Sequence, residues 1–89
     1  MITISYTEDT LYVHGHAGYA EAGSDIVCSA VSALVFTVAE YGTIKGTPGH
    51  AVVRATRDAI QFGLTGLRLI SKEYPDYVKI GGVRNGHEE

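Results

Sequence analysis

The chain begins with two short segments in which apolar and polar residues alternate. Ile2, Ile4 and Tyr6 are separated by polar residues, which is the period-two pattern of a half-buried β-strand. A polar turn at 7–9 separates this segment from a second one at 11–14, with the sequence Leu-Tyr-Val-His. Two strand patterns joined by so short a turn predict a β-hairpin.

Two longer segments have the pattern of helices. Residues 25–41 are apolar at nearly every position, which predicts a helix buried on almost all sides, with Ser24 as a suitable N-cap and Gly42 as its end. A second helix is predicted from Asp58, because its apolar residues recur at helical spacing and Pro75 stops it. The first helix is expected to be the more buried of the two, since it lacks a polar face.

The remaining apolar segments complete the predicted fold. Residues 51–55 and 77–80 predict two further strands, and a turn rich in glycine at 46–49 precedes the first of them. The order β-β-α-β-α-β predicts one α+β domain covering 1–89. Its two layers would be a mixed four-stranded sheet and two helices packed on one face of it, with a frayed tail at 81–89.

Composition and charge narrow the class of function. Hydrophobic residues make up 45% of the 89, too many for a disordered chain. Seven basic residues against ten acidic ones give a net charge of −3, and no basic patch is present, which argues against a nucleic acid partner. The apolar stretch 26–39 is too short to span a membrane. A single cysteine and no signal-peptide pattern indicate a reducing, cytoplasmic setting.

Cys28 is the residue most suited to chemistry. The pattern places it in the first turn of the buried helix, directly after a glycine-rich loop at 15–23 that contains His16. A helix N-terminus and a nearby imidazolium both favour the reactive thiolate, and free first-turn N–H groups are suitable donors to an oxyanion. Asp25, in the predicted first turn, and Ser32 share a helical face with Cys28.

These residues alone leave other interpretations open. A lone cysteine is often a small buried apolar residue, and a loop histidine such as His16 is often only solvated. Asp25 could equally be a negative charge that stabilises the N-terminus of the helix, without a part in chemistry. Ser32 could equally form a hydrogen bond with the backbone of its own helix.

Two further alternatives concern metal binding and loss of catalysis. His14 and His16 point the same way if the second strand reaches that far, and with Cys28 and His50 they would offer up to four metal ligands. This set lacks the fixed spacing of known zinc modules. A non-catalytic dimeric binding module with the same fold is the other alternative. His50 opens a strand and is otherwise expected to be solvated.

The segment 15–34 resembles the signature of the ribosomal-processing cysteine proteases, Prp. The matching residues are Gly15-His16-Ala17 and Gly23-Ser24-Asp25-Ile26-Val27-Cys28, with eleven residues between His16 and Cys28, followed by Ala30 and Ser32-Ala33. The resemblance implies that Cys28 is the nucleophile and His16 the general base and acid. It also implies that Asp25 and Ser32 support the pair, and it requires no cofactor or metal.

The same resemblance implies a substrate and an assembly. It implies a homodimer that removes an N-terminal extension from a large-subunit ribosomal protein, or, for relatives in phages, one that processes capsid or scaffold proteins. The loop would form a lid over an extended peptide, with Ala20 lining it beside Gly15, Ala17, Gly18, Tyr19 and Gly23.

Overall fold

The structure is a computed structural model that describes residues 1–21, 25–47 and 49–83. Within these ranges the chain forms five strands and two helices, in the order β-β-α-β-β-α-β. Their bounds are β1 Ile2–Tyr6, β2 Thr10–His14, α1 Ile26–Ala39, β3 Gly42–Thr47, β4 His50–Ala55, α2 Arg57–Glu73 and β5 Val78–Val83.

All five strands belong to one mixed sheet, in the order β3-β4-β2-β1-β5. β1 and β5 are parallel, and the other neighbours are antiparallel. The predicted hairpin of β1 and β2 is confirmed, with Ile4 opposite Val13 and Tyr6 opposite Leu11. Buried side chains of both helices share one core with Ile4, Leu11 and Val53 of the sheet. The predicted α+β class, with two helices on one face of a mixed sheet, is confirmed.

The sheet has one strand more than the sequence predicts. Residues 42–47 form β3, where the pattern predicts a helix end at Gly42 followed by a turn. Every residue of β3 is exposed, and Ile44 is its single large apolar side chain. β3 lies at the edge of the sheet and pairs along its whole length with β4. Backbone hydrogen bonds rather than side-chain burial stabilise it, so the hydrophobic pattern gives no signal.

α1 is shorter and more exposed than its apolar sequence predicts. It covers Ile26–Ala39 rather than 25–41, and its N-cap is Asp25, which the sequence places in the first turn. Ser24, the predicted cap, lies outside the described residues. The prediction of burial on almost all sides is wrong, since Phe36 is 61% exposed. A two-layer fold covers a helix only on the sides facing the sheet and the neighbouring helix.

α2 agrees more closely with its pattern. It begins at Arg57, one residue before the predicted Asp58, with Thr56 as its N-cap. It ends at Glu73, two residues before the predicted stop at Pro75. Neither α1 nor α2, the helices in the described part of the chain, is long and apolar enough to cross a membrane.

β5 extends beyond the predicted strand. It covers Val78–Val83 rather than 77–80, so residues 81–83 belong to the sheet and not to a frayed tail. Backbone pairing with β1 reaches Tyr6 opposite Val83 and holds this extension in the sheet. The rest of the predicted tail, 84–89, lies outside the described residues.

Candidate active site

The carboxylate of Asp25 joins the start of α1 to the glycine-rich loop. One oxygen accepts the backbone N–H of Cys28 at 2.9 Å, and the other accepts that of Tyr19 at 3.0 Å. The Cys28 N–H is the main cause that lowers the pKa of Asp25; the N–H groups of Tyr19 and Ala20 add to it, and desolvation opposes it. Asp25 therefore caps the helix and fixes the loop at the same time.

The thiol of Cys28 lies where the sequence predicts it, in the first turn of α1. The side chain is partly buried and packs against the hydrophobic core. The backbone N–H of Ala17 donates to its Sγ at 3.3 Å. Ala17 itself is only 3% exposed, and its contact with the sulfur is partly buried. The glycine-rich loop thus folds back over the helix N-terminus and reaches the sulfur.

Two cavities meet at Cys28, His16 and Ser32, and all three side chains line both of them. One cavity, of about 270 Å³, lies between α1 and the sheet, where Phe36 and Ile44 add apolar walls. The other, of about 460 Å³, is bounded by the glycine-rich loop and the first turn of α1. The structure therefore brings the predicted thiol, imidazole and hydroxyl together at one opening.

Gly49, just before β4, packs against His16, a relationship that the sequence does not reveal. The carbonyl of Gly49 accepts the N–H of Gly15 at 2.7 Å, and Gly49 has a φ of +82°. A Cβ built on Gly49 would lie 2.7 Å from Nε2 of His16. The only sequence signal here is a turn glycine, which predicts a bend but no contact partner.

His14 and His50 form a pair across two neighbouring strands. They are opposite each other in the β2–β4 register, and their Nδ1 atoms are 3.3 Å apart. His50 also lines the smaller cavity beside His16 and Cys28. Among the residues that the structure describes, no three or more histidine, cysteine or acidic side chains are grouped so that they could hold a metal ion. The geometry thus gives the metal alternative no support.

The other predicted loop residues divide between several environments. Gly15 lines the smaller cavity, and Gly18 and Ala20 line the larger one. The ring of Tyr19 instead packs edge-on against two tyrosines, and it lines neither cavity. Those two partners are Tyr74 and Tyr77. Gly23 lies outside the described residues.

Comparison with known proteins places the chain in a family. The family model of cysteine protease Prp matches residues 1–79. A ribosomal processing cysteine protease Prp from Mycoplasma genitalium is 47% identical over 36 residues, which are 40% of this chain and 36% of that protein. The chain therefore aligns with little more than a third of the length of this curated relative.

Solved structures share the fold. The crystal structure of an essential ribosomal processing protease Prp from S. aureus, in complex with a covalently linked product peptide, matches with a TM-score of 0.82 and 26% identity, over 92% of this chain and 99% of that one. A second S. aureus Prp structure, in complex with a substrate peptide, matches with a TM-score of 0.70 and 22% identity, over 91% and 96%. Because the family model covers most of the sequence, the chain belongs to the cysteine protease Prp family, whose members are hydrolases.

Proposed function

We propose that this protein is a cysteine endopeptidase in which Cys28 is the nucleophile and His16 the general base and acid. The observation that carries the proposal is that the Cys28 thiol and the His16 imidazole line the same two cavities at the N-terminus of α1. A nucleophile and a base at one opening, on a helix start that favours negative charge, are what acyl transfer needs.

The reaction proceeds in two steps through a thioester. His16 takes the thiol proton, and the Cys28 sulfur forms a bond to the carbonyl carbon of the scissile peptide, whose π electron pair moves onto oxygen. When the carbonyl re-forms, the carbon–nitrogen bond breaks, and His16 gives its proton to the leaving amine. Water, deprotonated by His16, then attacks the thioester and releases the acid and the thiol.

The two cavities suit an extended peptide whose scissile bond lies over Cys28. Residues on one side of that bond would occupy the cavity walled by Phe36 and Ile44, and those on the other side the cavity under the glycine-rich loop. The apolar walls of the first favour an apolar side chain there. Loop residues 15–21, which hydrogen bonds to Gly49 and Asp25 hold in place, then form a lid over the substrate.

We further propose that the substrate is a large-subunit ribosomal protein that carries an N-terminal extension. Support comes from the Prp proteins of M. genitalium and S. aureus, both described as ribosomal processing proteases, the latter in complex with peptides. Asp25 supports the catalytic pair through its hydrogen bonds to the N–H groups of Cys28 and Tyr19. Ser32 supports it from its position beside both cavities.

A homodimer completes the proposal. Its support is the exposure of large apolar side chains on the helices: Phe62 and Leu69 lie on one stripe of α2 and are 71% and 65% exposed. Light scattering on the full chain tests it, and a mass of one chain at micromolar concentration would reject the dimer.

The catalytic assignment is tested in two assays. Purified chain is incubated with unprocessed large-subunit ribosomal proteins, and new N-termini are measured by mass spectrometry; Cys28→Ser is expected to produce none. Alkylation of Cys28 by iodoacetamide is then followed by intact mass at about pH 6, where free thiols react slowly. If His16→Ala slows the alkylation at least tenfold relative to the wild type, the catalytic pair of Cys28 and His16 is supported. Equal alkylation rates in the two proteins would refute it.

A further inference from the structure

The cap of α1 uses backbone donors that an oxyanion would otherwise take. The Cys28 N–H donates to the Asp25 carboxylate at 2.9 Å, and the Ser29 N–H donates to the Asp25 carbonyl at 3.1 Å. The sequence predicts that first-turn N–H groups bind the oxyanion, but the structure engages these two elsewhere. A donor from another part of the chain can take the place of these two.

The glycine-rich loop supplies such a donor. The N–H of Ala17 points at Sγ of Cys28 from 3.3 Å. Its position is fixed on both sides, because Gly15 donates to the carbonyl of Gly49 at 2.7 Å and Tyr19 donates to Asp25 at 3.0 Å. The burial of Ala17 limits the access of water to the donor. Donors held in advance in this way are those that stabilise transition states.

The chemistry brings negative charge to this donor. When Cys28 attacks, the sulfur bonds to the carbonyl carbon, and the oxyanion forms on the oxygen bonded to that same carbon. The oxyanion is therefore two bonds from the sulfur, within reach of an N–H that already faces the sulfur. We propose that the backbone N–H of Ala17 is a catalytic group of this enzyme, donating to the oxyanion of the tetrahedral intermediate; the proposal rests on the proposed function of Cys28.

The test replaces the amide N–H of Ala17 with an ester oxygen. The chain is assembled by ligation at the native Val27–Cys28 junction, with L-lactic acid in place of Ala17, and an all-amide chain made in the same way is the control. Peptide cleavage and alkylation of Cys28 by iodoacetamide are measured on both. Loss of one oxyanion donor is expected to lower kcat by about 100- to 1000-fold. The alkylation rate is expected to fall far less than kcat, because the ester removes a weak hydrogen bond to the sulfur, whereas alkylation displaces iodide and forms no oxyanion.

Each outcome decides the assignment. Slow cleavage with a much smaller change in alkylation supports the assignment. It also shows that the site is folded and that the thiol is accessible. Cleavage at the control rate refutes the assignment. A parallel fall in the rates of cleavage and alkylation also refutes it, because the N–H would then act only on the sulfur or on the structure of the loop. An all-amide chain that alkylates but cleaves no unprocessed ribosomal protein would reject the proposed function itself, and this assignment with it.

Discussion

Gly49 leaves no room for a side chain beside the imidazole of His16. A Cβ at Gly49 would lie 2.7 Å from Nε2, and 3.4 Å from Cδ2 and Cε1 of the same ring, so the ring would have to move. Because the carbonyl of Gly49 also accepts the N–H of Gly15, Gly49 constrains both the backbone and the ring of this loop segment. A turn remote in sequence thus sets where the proposed base can lie.

Gly49→Ala is therefore expected to impair catalysis more than folding. The added methyl pushes the His16 ring away, and a misplacement of about 1 Å can cost about 100-fold in rate. The positive φ adds a backbone cost of about 1–2 kcal/mol. Peptide cleavage measures the first effect, and urea unfolding measures the second.

Gly49→Asn is the matched control for this prediction. Asparagine tolerates positive φ better than other residues with a side chain, so the loss of stability should be smaller than with alanine. Its Cβ still meets His16, so the loss of activity should persist. An asparagine variant with normal activity would mean that backbone strain, and not contact with the imidazole, accounts for the effect of alanine.

Local signals account for the part of this site that the sequence predicts. Cys28 lies in a helix start and His16 in a glycine-rich loop, and both positions follow from neighbouring residues. The contact of Gly49 with His16 depends on the register of β2 and β4, which the hydrophobic pattern does not specify. The Ala17 N–H gives no sequence signal at all, because every residue except proline has one.

The lowered pKa of Asp25 predicts a pH-dependent contribution to stability. Since the backbone N–H of Cys28 favours the charged carboxylate, this contribution is present above the ordinary aspartate pKa of about 3.9 and is lost as pH falls through the lower folded pKa. Asp25→Asn keeps a capping oxygen but no charge. Its Tm should lie below that of the wild type at neutral pH and converge with it near pH 3.

Asp9→Asn is the control for that experiment. The side chains of Thr10 and Thr7 are the main causes that lower the pKa of Asp9, so its contribution has the same sign and the same pH range. Asp9 lies in the β1–β2 turn and does not contact Cys28. Only Asp25→Asn should therefore change the alkylation rate of Cys28. An equal change in both variants would contradict the part assigned to Asp25 in holding the site.

The cap of α2 gives a prediction about stability alone. The Thr56 hydroxyl accepts the N–H of Ala59 at 3.2 Å, far from the thiol. Thr56→Ala should lower the free energy of unfolding by about 1 kcal/mol, the usual value for such a cap. Urea unfolding checks this, and cleavage by the folded variant should equal that of the wild type. A loss of activity would show that α2 communicates with the site.

The hydrophobic pattern predicts the strands whose side chains are buried, and it misses the strand that only backbone pairing holds. Leu11 and Val53 follow the pattern of their strands because both enter the core. β3 has no such residues, since its six positions are exposed and β4 alone holds it. The exposure of Phe36 is missed for a related reason. The sequence shows that this residue is apolar, but it does not show whether another layer of the fold covers it.

Two glycines of α2 lie where the helices cross, and they should respond differently to alanine. A Cβ at Gly63 would collide with Cγ2 of Val38, and one at Gly66 would lie 2.8 Å from Cδ1 of Leu34. Alanine improves helix propensity by about 1 kcal/mol at either position. The sign of the change in stability therefore depends on whether the neighbouring side chain can move.

Gly63→Ala should destabilise the protein, and Gly66→Ala should not. Val38 is β-branched, stiff and 2% exposed, so overpacking of about 1–3 kcal/mol exceeds the gain in propensity. The end of the Leu34 side chain can rotate away, which leaves Gly66→Ala neutral or slightly stabilising. Urea unfolding of the two variants, compared at equal m-values, measures the difference. Equal effects would mean that the helices separate as rigid bodies instead of adjusting side chain by side chain.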